Sequence, residues 1–428
     1  MGQPNTTTNR AAVRTMKKRD LIMAIVMAGF LTGCNSGSGS GHFVKTYWAD
    51  IRGSEFRVNS PDTATGRYRD RPEAQHTGLM TIPLDDALLG ADDAELYMEL
   101  WGGHPGVKDK RVTVNGTEEY ELPEVGSATK NCTYSYPTIA LSREQLQVGR
   151  NEFQFSCHKG KTFWGHYLIS SAAIRLELPA DHSAVRKQAL DGFSASVSVA
   201  SPTGETRKLR LSVPEAMESR VESVEYVGYY RGYDDNGNGE DLDWHGFTKH
   251  RKAQGIIASV SSAPFEAEWD LSMLPDGQER MAVCAIVHFK DAPSLSYRTA
   301  AREVASPRRN VHVTLHYAEL LPRPFWVRDN KVQKCYIQLD VEPEQISRAE
   351  LRVLVWDGGK GTIKYPFHLN EHPIPVSGRG KHDVRYSVRE VDPGMLRRGA
   401  NEIRLQSQTP HHGIEVILPG PALIVRTK

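Results

Sequence analysis

One stretch, from Tyr136 to Cys157 (YPTIALSREQLQVGRNEFQFSC), is written a second time from Tyr386 to Ser407 (YSVREVDPGMLRRGANEIRLQS). Tyr136/Tyr386, Gly149/Gly399 and Asn151/Asn401 are each 250 residues apart, with no gap between landmarks. Upstream, ELYMELWGG…VTVNG from Glu95 is answered by ELRVLVWDGG…FHLNE from Glu350, with Trp101/Trp356 and Asn115/Asn370 both 255 apart. Further upstream WADIRGSEF at Trp48 is answered by YAELLPRPF at Tyr317, 269 residues on. Offsets that drift only through loops, in constant order, mark a duplicated domain. They place one copy over residues 43–179 and the other over 310–428, with residues 188–307 as a separate domain between them.

The runs inside each copy are short and alternate apolar with polar residues: Glu95–Trp101, Arg111–Val114, Thr138–Leu141, Asn151–Ser156 and Tyr167–Leu178. Gly, Pro and Asn separate them, and Asn115-Gly116 suits a hairpin turn because both residues tolerate positive φ. A single helical turn at Leu141–Leu146 is the one exception expected. This spacing predicts antiparallel β-sandwiches. At 428 residues several domains are expected, so the fold class predicted is all-β: three β-sandwiches in tandem, the first and third duplicates. With 39% hydrophobic and 25% charged residues the composition is that of a globular protein. A formal net charge of +1 without a long basic run argues against nucleic acid as a partner.

The turn sequences LQVGRNEF and LRRGANEI, with VTVNG and FHLNE upstream and AAIRLEL and PALIV at the ends, resemble galactose-binding-like jelly-roll modules. That resemblance implies two jelly rolls and polysaccharide or cell-wall glycan as the partner class. Aromatic rings that pack on pyranose faces are the residues to look for. Trp164, in the loop KGKTFWGHY, is the first candidate because the other copy has His412 at the aligned position; Tyr134 and His166 are its helpers. Trp101 is a further candidate, although its recurrence as Trp356 equally suits packing. Cys132 and Cys157 are both missing from the second copy, where His382 and Ser407 stand. Their joint absence predicts a Cys132–Cys157 disulfide, which would stabilise by about 3–4 kcal/mol.

In the middle region PFEAEWDLSMLPDGQERMAVCAIVHF (Pro264–Phe289) resembles bacterial immunoglobulin-like domains. The resemblance implies an Ig-like sandwich, expected to act as a spacer between the jelly rolls. Glu266, Glu268 and Asp270 share one face of a strand and are read as solvated, and Cys284 in MAVCAIVHF as buried core. The insertion YDDNGNGEDLDWHG carries Asp234, Asn236, Asn238, Asp241 and Asp243 around Gly239. Oxygen-bearing side chains at alternate positions about a glycine are what a structural Ca²⁺ site uses. The opening resembles an EF-hand loop, but the twelfth position is His245, not Glu. His411-His412 lacks a spaced Cys, Asp or Glu partner for a metal.

At the N-terminus, Met16-Lys-Lys-Arg precedes the apolar run Leu21–Leu31, too short to span a bilayer but suited to a signal peptide. Leu31-Thr32-Gly33-Cys34 resembles a bacterial lipobox. It implies a leader with lipobox over residues 1–34 cleaved just before Cys34, which is retained and lipidated, a Gly/Ser tether over 35–42, and an envelope protein held at the outer membrane by its lipid alone. No GxSxG, HExxH, P-loop or dinucleotide fingerprint is present. The function expected is non-catalytic polysaccharide binding. The alternatives are a β-sandwich polysaccharide lyase or glycoside hydrolase using clustered Tyr, His and Arg, and a structural or adhesive protein that binds another envelope protein.

Overall fold

The computed structural model describes residues 41–51, 55–63, 66, 69–123, 133–158, 165–200, 204–307, 310–376 and 382–428. The chain is all-β, with strands in several antiparallel sheets and only short helical turns between them. Cys34, Cys132 and Trp164 lie outside the described residues.

The duplication is visible strand by strand. In the first copy Asp93–Trp101 lies between His166–Leu178 and Thr138–Leu141; in the second, Ile346–Asp357 lies between Ala422–Thr427 and Asp383–Val391. The opposing sheets match as well: Gly149–His158 is flanked by Leu79–Leu84 and Lys108–Val114, as Gly399–Gln406 is by Val332–Leu339 and Phe367–Leu369. The repeated asparagines explain why that pattern survived in the sequence. Asn115, at φ 48°, donates to Asn151 Oδ1 at 2.9 Å and to the Gln145 carbonyl at 2.6 Å, while its Oδ1 accepts from Glu152 N. Asn370, at φ 53°, does the same to Asn401, the Met395 carbonyl and Glu402 N. Asn151 and Asn401, both fully buried, then accept from the amides of Gln147 and Arg397. A buried side chain that closes a loop through four such bonds cannot be exchanged without stranding backbone donors. The expected turn is present as a 3-10 turn, Arg143–Gln145, capped by Ser142.

The middle region departs from the expected spacer. Its strand Leu295–Arg298 pairs with His42–Trp48 of the first sandwich, so that one sheet runs from Val221–Arg231 through Ala282–Phe289 into the first copy. Phe43, Phe193, Phe289 and Tyr297 meet across that junction, mostly edge to face, with centroids 4.9–6.3 Å apart. A sheet and an apolar core shared by both regions make them one unit; a hinge there would break ladder hydrogen bonds and expose the phenylalanines.

The expected disulfide is also corrected on its described side. Cys157 is a free thiol, 2% exposed, at an inward position of its strand with Sγ directed to the Val58 carbonyl. Burial pushes that thiol up to about 12, so it stays protonated. Cys284 is buried as expected, in a small cluster with Val227, Trp244 and Ala282. Glu266 meets Lys208 on the solvated face predicted for it.

Candidate functional site

The strand Asp93–Trp101 sends Ala94, Leu96, Met98 and Leu100 into the core of the first sandwich, so Glu95, Tyr97, Glu99 and Trp101 point the other way. An antiparallel sheet commonly leaves that second face to water. Here Tyr97 is 1% and Glu99 0% exposed. The third sandwich presents the equivalent face of Ile346–Asp357, with Leu354 and Trp356, and both pack into one cluster rich in tyrosine. Between the two faces runs the middle region's insertion, residues 232–257.

Two parts of the insertion hold the faces together. The hairpin Phe247–Lys249/Lys252–Gln254 turns at His250 and Arg251, both at positive φ. Glu99 accepts from Thr248 Oγ1 at 2.9 Å and from the amides of His250 and Arg251 at 3.0 and 3.4 Å. Lys249 donates to Tyr134 Oη at 2.9 Å on one side and reaches Asp383 of the third sandwich at 3.4 Å on the other. The preceding loop inserts Tyr233, fully buried, between Tyr317 and Tyr386, with its hydroxyl on the Gly420 carbonyl at 2.7 Å.

The loop proposed for Ca²⁺ is therefore part of this clasp. Asp234 accepts from the backbone amides of Asn238 and Gly239, Asp241 pairs with Arg231 at 2.7 Å, and Asp243 accepts from the side-chain Nδ2 groups of Asn236 and Asn238. Asp235 is buried against His245 at 3.1 Å. Among the described residues no three His, Cys, Asp or Glu side chains converge as metal ligands. Its carboxylates take up hydrogen bonds from within the loop and from Arg231.

Burial raises Asp234 to about 6 from an ordinary 3.8. Between those values the folded chain holds a proton that the unfolded chain has released. Asp234 therefore disfavours folding above pH 6, and the penalty is relieved as pH falls toward 4, by on the order of 2 kcal/mol. Urea midpoints at pH 4, 5, 6 and 7 should fall less steeply with rising pH in Asp234→Asn than in the parent. Identical slopes would remove Asp234 from the account.

At the outer end of the two faces sit the aromatic candidates. Trp101 is half-buried, edge-on to His104 at 5.2 Å and tilted to His166 at 5.6 Å. The expected partners Trp101 and His166 are thus brought together. Tyr134 is adjacent through its pairing with Trp101, but it is 5% exposed and Lys249 lies over its ring at 4.0 Å, so its face is closed to a sugar. The third sandwich repeats the arrangement: Trp356 stacks on His382 at 5.6 Å and meets His412 edge-on at 6.2 Å. His382 and His412 are exposed. Burial, helped by the charges of Arg328 and Arg57, lowers His104 below the ordinary imidazole range; burial, with His382, His411 and Arg328 adding to it, lowers His412. His104 and His382 were missed from sequence because they come from loops that share no spacing, and only the recurrent tryptophan pointed to them.

Neutral imidazoles beside a half-open indole can bind hydroxyl groups while the indole covers an apolar ring face. No family model and no curated protein matches the chain. Among solved structures it has a partial likeness to a beta-porphyranase of glycoside hydrolase family 86 from the human gut bacterium Bacteroides plebeius, at 14% identity and TM-score 0.23, over 54% of this chain and 36% of that one. A likeness to BuGH86wt in complex with neoagarooctaose has 12% identity and TM-score 0.23, over 55% and 33%. A third, to the Endo-D glycoside hydrolase domain from Streptococcus pneumoniae R6, has 10% identity and TM-score 0.21, over 54% and 31%. The chain spans about a third of the length of these structures, and likenesses of this size carry no argument about ligand or activity.

Proposed function

We propose that this chain is a non-catalytic glycan-binding protein of the bacterial envelope, tethered by a lipid on Cys34, with its binding surface at the aromatic ends of the two duplicated sandwiches. The observation that carries the reading is that the tryptophan recurring at matching positions of both copies is half-open and flanked by two histidines in each, although those histidines come from different positions in the two copies. A tryptophan needed only for packing has no requirement for imidazoles around it in both places, since the strands that frame it differ in loop length and sequence. The middle region, on this reading, fixes the distance and orientation of the two ends.

The test is affinity electrophoresis of residues 35–428 through gels containing single polysaccharides. Retardation by a glycan should fall at least tenfold in apparent affinity in Trp101→Ala or Trp356→Ala, of the order that loss of one stacked aromatic brings. New reducing ends or unsaturated product in the gel would replace this reading with a hydrolase or lyase. Unaltered retardation in both variants would move the site elsewhere.

A further inference from the structure

The two tryptophan–histidine ends are not independent. Trp101 and Trp356 border the same buried cluster, and Lys249 touches the neighbours of both: Tyr134, which pairs with Trp101, and Asp383, which follows His382. Beside His412 the short strand Trp326–Val327 pairs with Ile414–Val416. The next residue, Arg328, folds its guanidinium back over the Trp326 ring at 4.3 Å. Arg328 is half-buried on that shelf, and among the described residues no carboxylate pairs with it. It lies against Gly413, the residue after His412, and so borders the Trp356 end.

We infer that the two ends form one continuous run of subsites for an acidic glycan, with Arg328 as the anion contact beside the Trp356 platform. The inference rests on the proposed glycan binding and specifies its ligand. A guanidinium packed over an indole loses little rotational freedom when its N–H groups bind a carboxylate or sulfate. An unpaired half-buried cation is an electrostatic cost that an anionic ligand relieves. The imidazoles of His104 and His412, both lowered by burial, supply hydroxyl contacts beside the tryptophans.

The experiment uses residues 35–428 with polygalacturonate, alginate and dextran sulfate, each beside neutral dextran and galactomannan, by affinity electrophoresis and calorimetry. Expected are preference for an acidic polysaccharide, one oligosaccharide bound per chain, and weakening by added salt. Arg328→Gln should lower that affinity about tenfold and flatten its salt dependence, with unchanged thermal midpoint. Carboxylate and sulfate sources are separated by which acidic gel retards the protein. Trp101→Ala and Trp356→Ala should each weaken the single site. Two sites per chain, halved by either tryptophan variant, would overturn the continuous run. Preference for a neutral glycan with no effect of Arg328→Gln would overturn the acidic specificity and leave the proposed function standing. No retardation on any gel would overturn both.

Discussion

Tyr233→Ala is expected to destabilise the protein by about 3–5 kcal/mol, the usual cost of emptying a fully buried aromatic site. Tyr233 has no exposed surface, lies between the rings of Tyr317 and Tyr386 at 5.8 Å on each side, and caps the Gly420 carbonyl. Its neighbours in the loop hold it from behind: Asp234 N donates to Tyr317 Oη at 3.0 Å, and Asp234 closes the turn on Gly239. The ring is therefore the point at which the middle region is locked to the third sandwich. Denaturation of Tyr233→Ala should separate into two transitions, with the third sandwich unfolding apart from the rest. Tyr233→Phe keeps the stack and strands only the Gly420 carbonyl, so a loss of about 1 kcal/mol in a single transition is expected. A single unchanged transition in the alanine variant would show that the clasp holds without this residue.

The duplicated sandwiches were legible because their most constrained residues carry polar side chains that report position. Asn115, Asn151, Asn370 and Asn401 each close a turn through several bonds, and substitution is costly at all four. What joins the sandwiches was not legible. In ELYMELW the alternation marks Leu96, Met98 and Leu100 as core, but it records only which residues face that core and says nothing about a second partner for Tyr97 and Glu99. The hairpin that covers them turns at His250-Arg251, without the Gly or Asn that marks such turns. The loop Asp234–Asp243 carries oxygens at the spacing of a cation site, yet internal amides and Arg231 occupy them. Asx-rich loops serve either use with the same residues, and only packing decides. The same limit applies to the candidate glycan platform. Trp101 was visible as a repeat, whereas the imidazoles that distinguish it from a packing residue arrive from distant loops.

Glu99→Ala tests the other half of the clasp and is expected to cost about 3 kcal/mol. The Glu99 carboxylate is completely buried and takes a hydroxyl from Thr248 and the amides of His250 and Arg251, with Ser170 Oγ at 3.4 Å. Hydrogen bonds to a charged acceptor contribute about 1.5–3 kcal/mol, and removing the carboxylate takes that acceptor from all three donors at once. Thr248 retains Tyr97 Oη at 2.7 Å, which limits the loss. The two amides retain nothing equivalent, so their hydrogen exchange should accelerate by two orders of magnitude or more while exchange in the sandwich cores changes only with global stability. Glu99→Gln keeps one oxygen and should fall between the parent and alanine. Because Lys249 follows Thr248 and carries the contacts to Tyr134 and Asp383, a loosened hairpin also frees the two tryptophan ends to move apart. If the glycan spans both ends, Glu99→Ala weakens its binding without touching it. If each end binds alone, affinity is unchanged while the hairpin amides exchange freely.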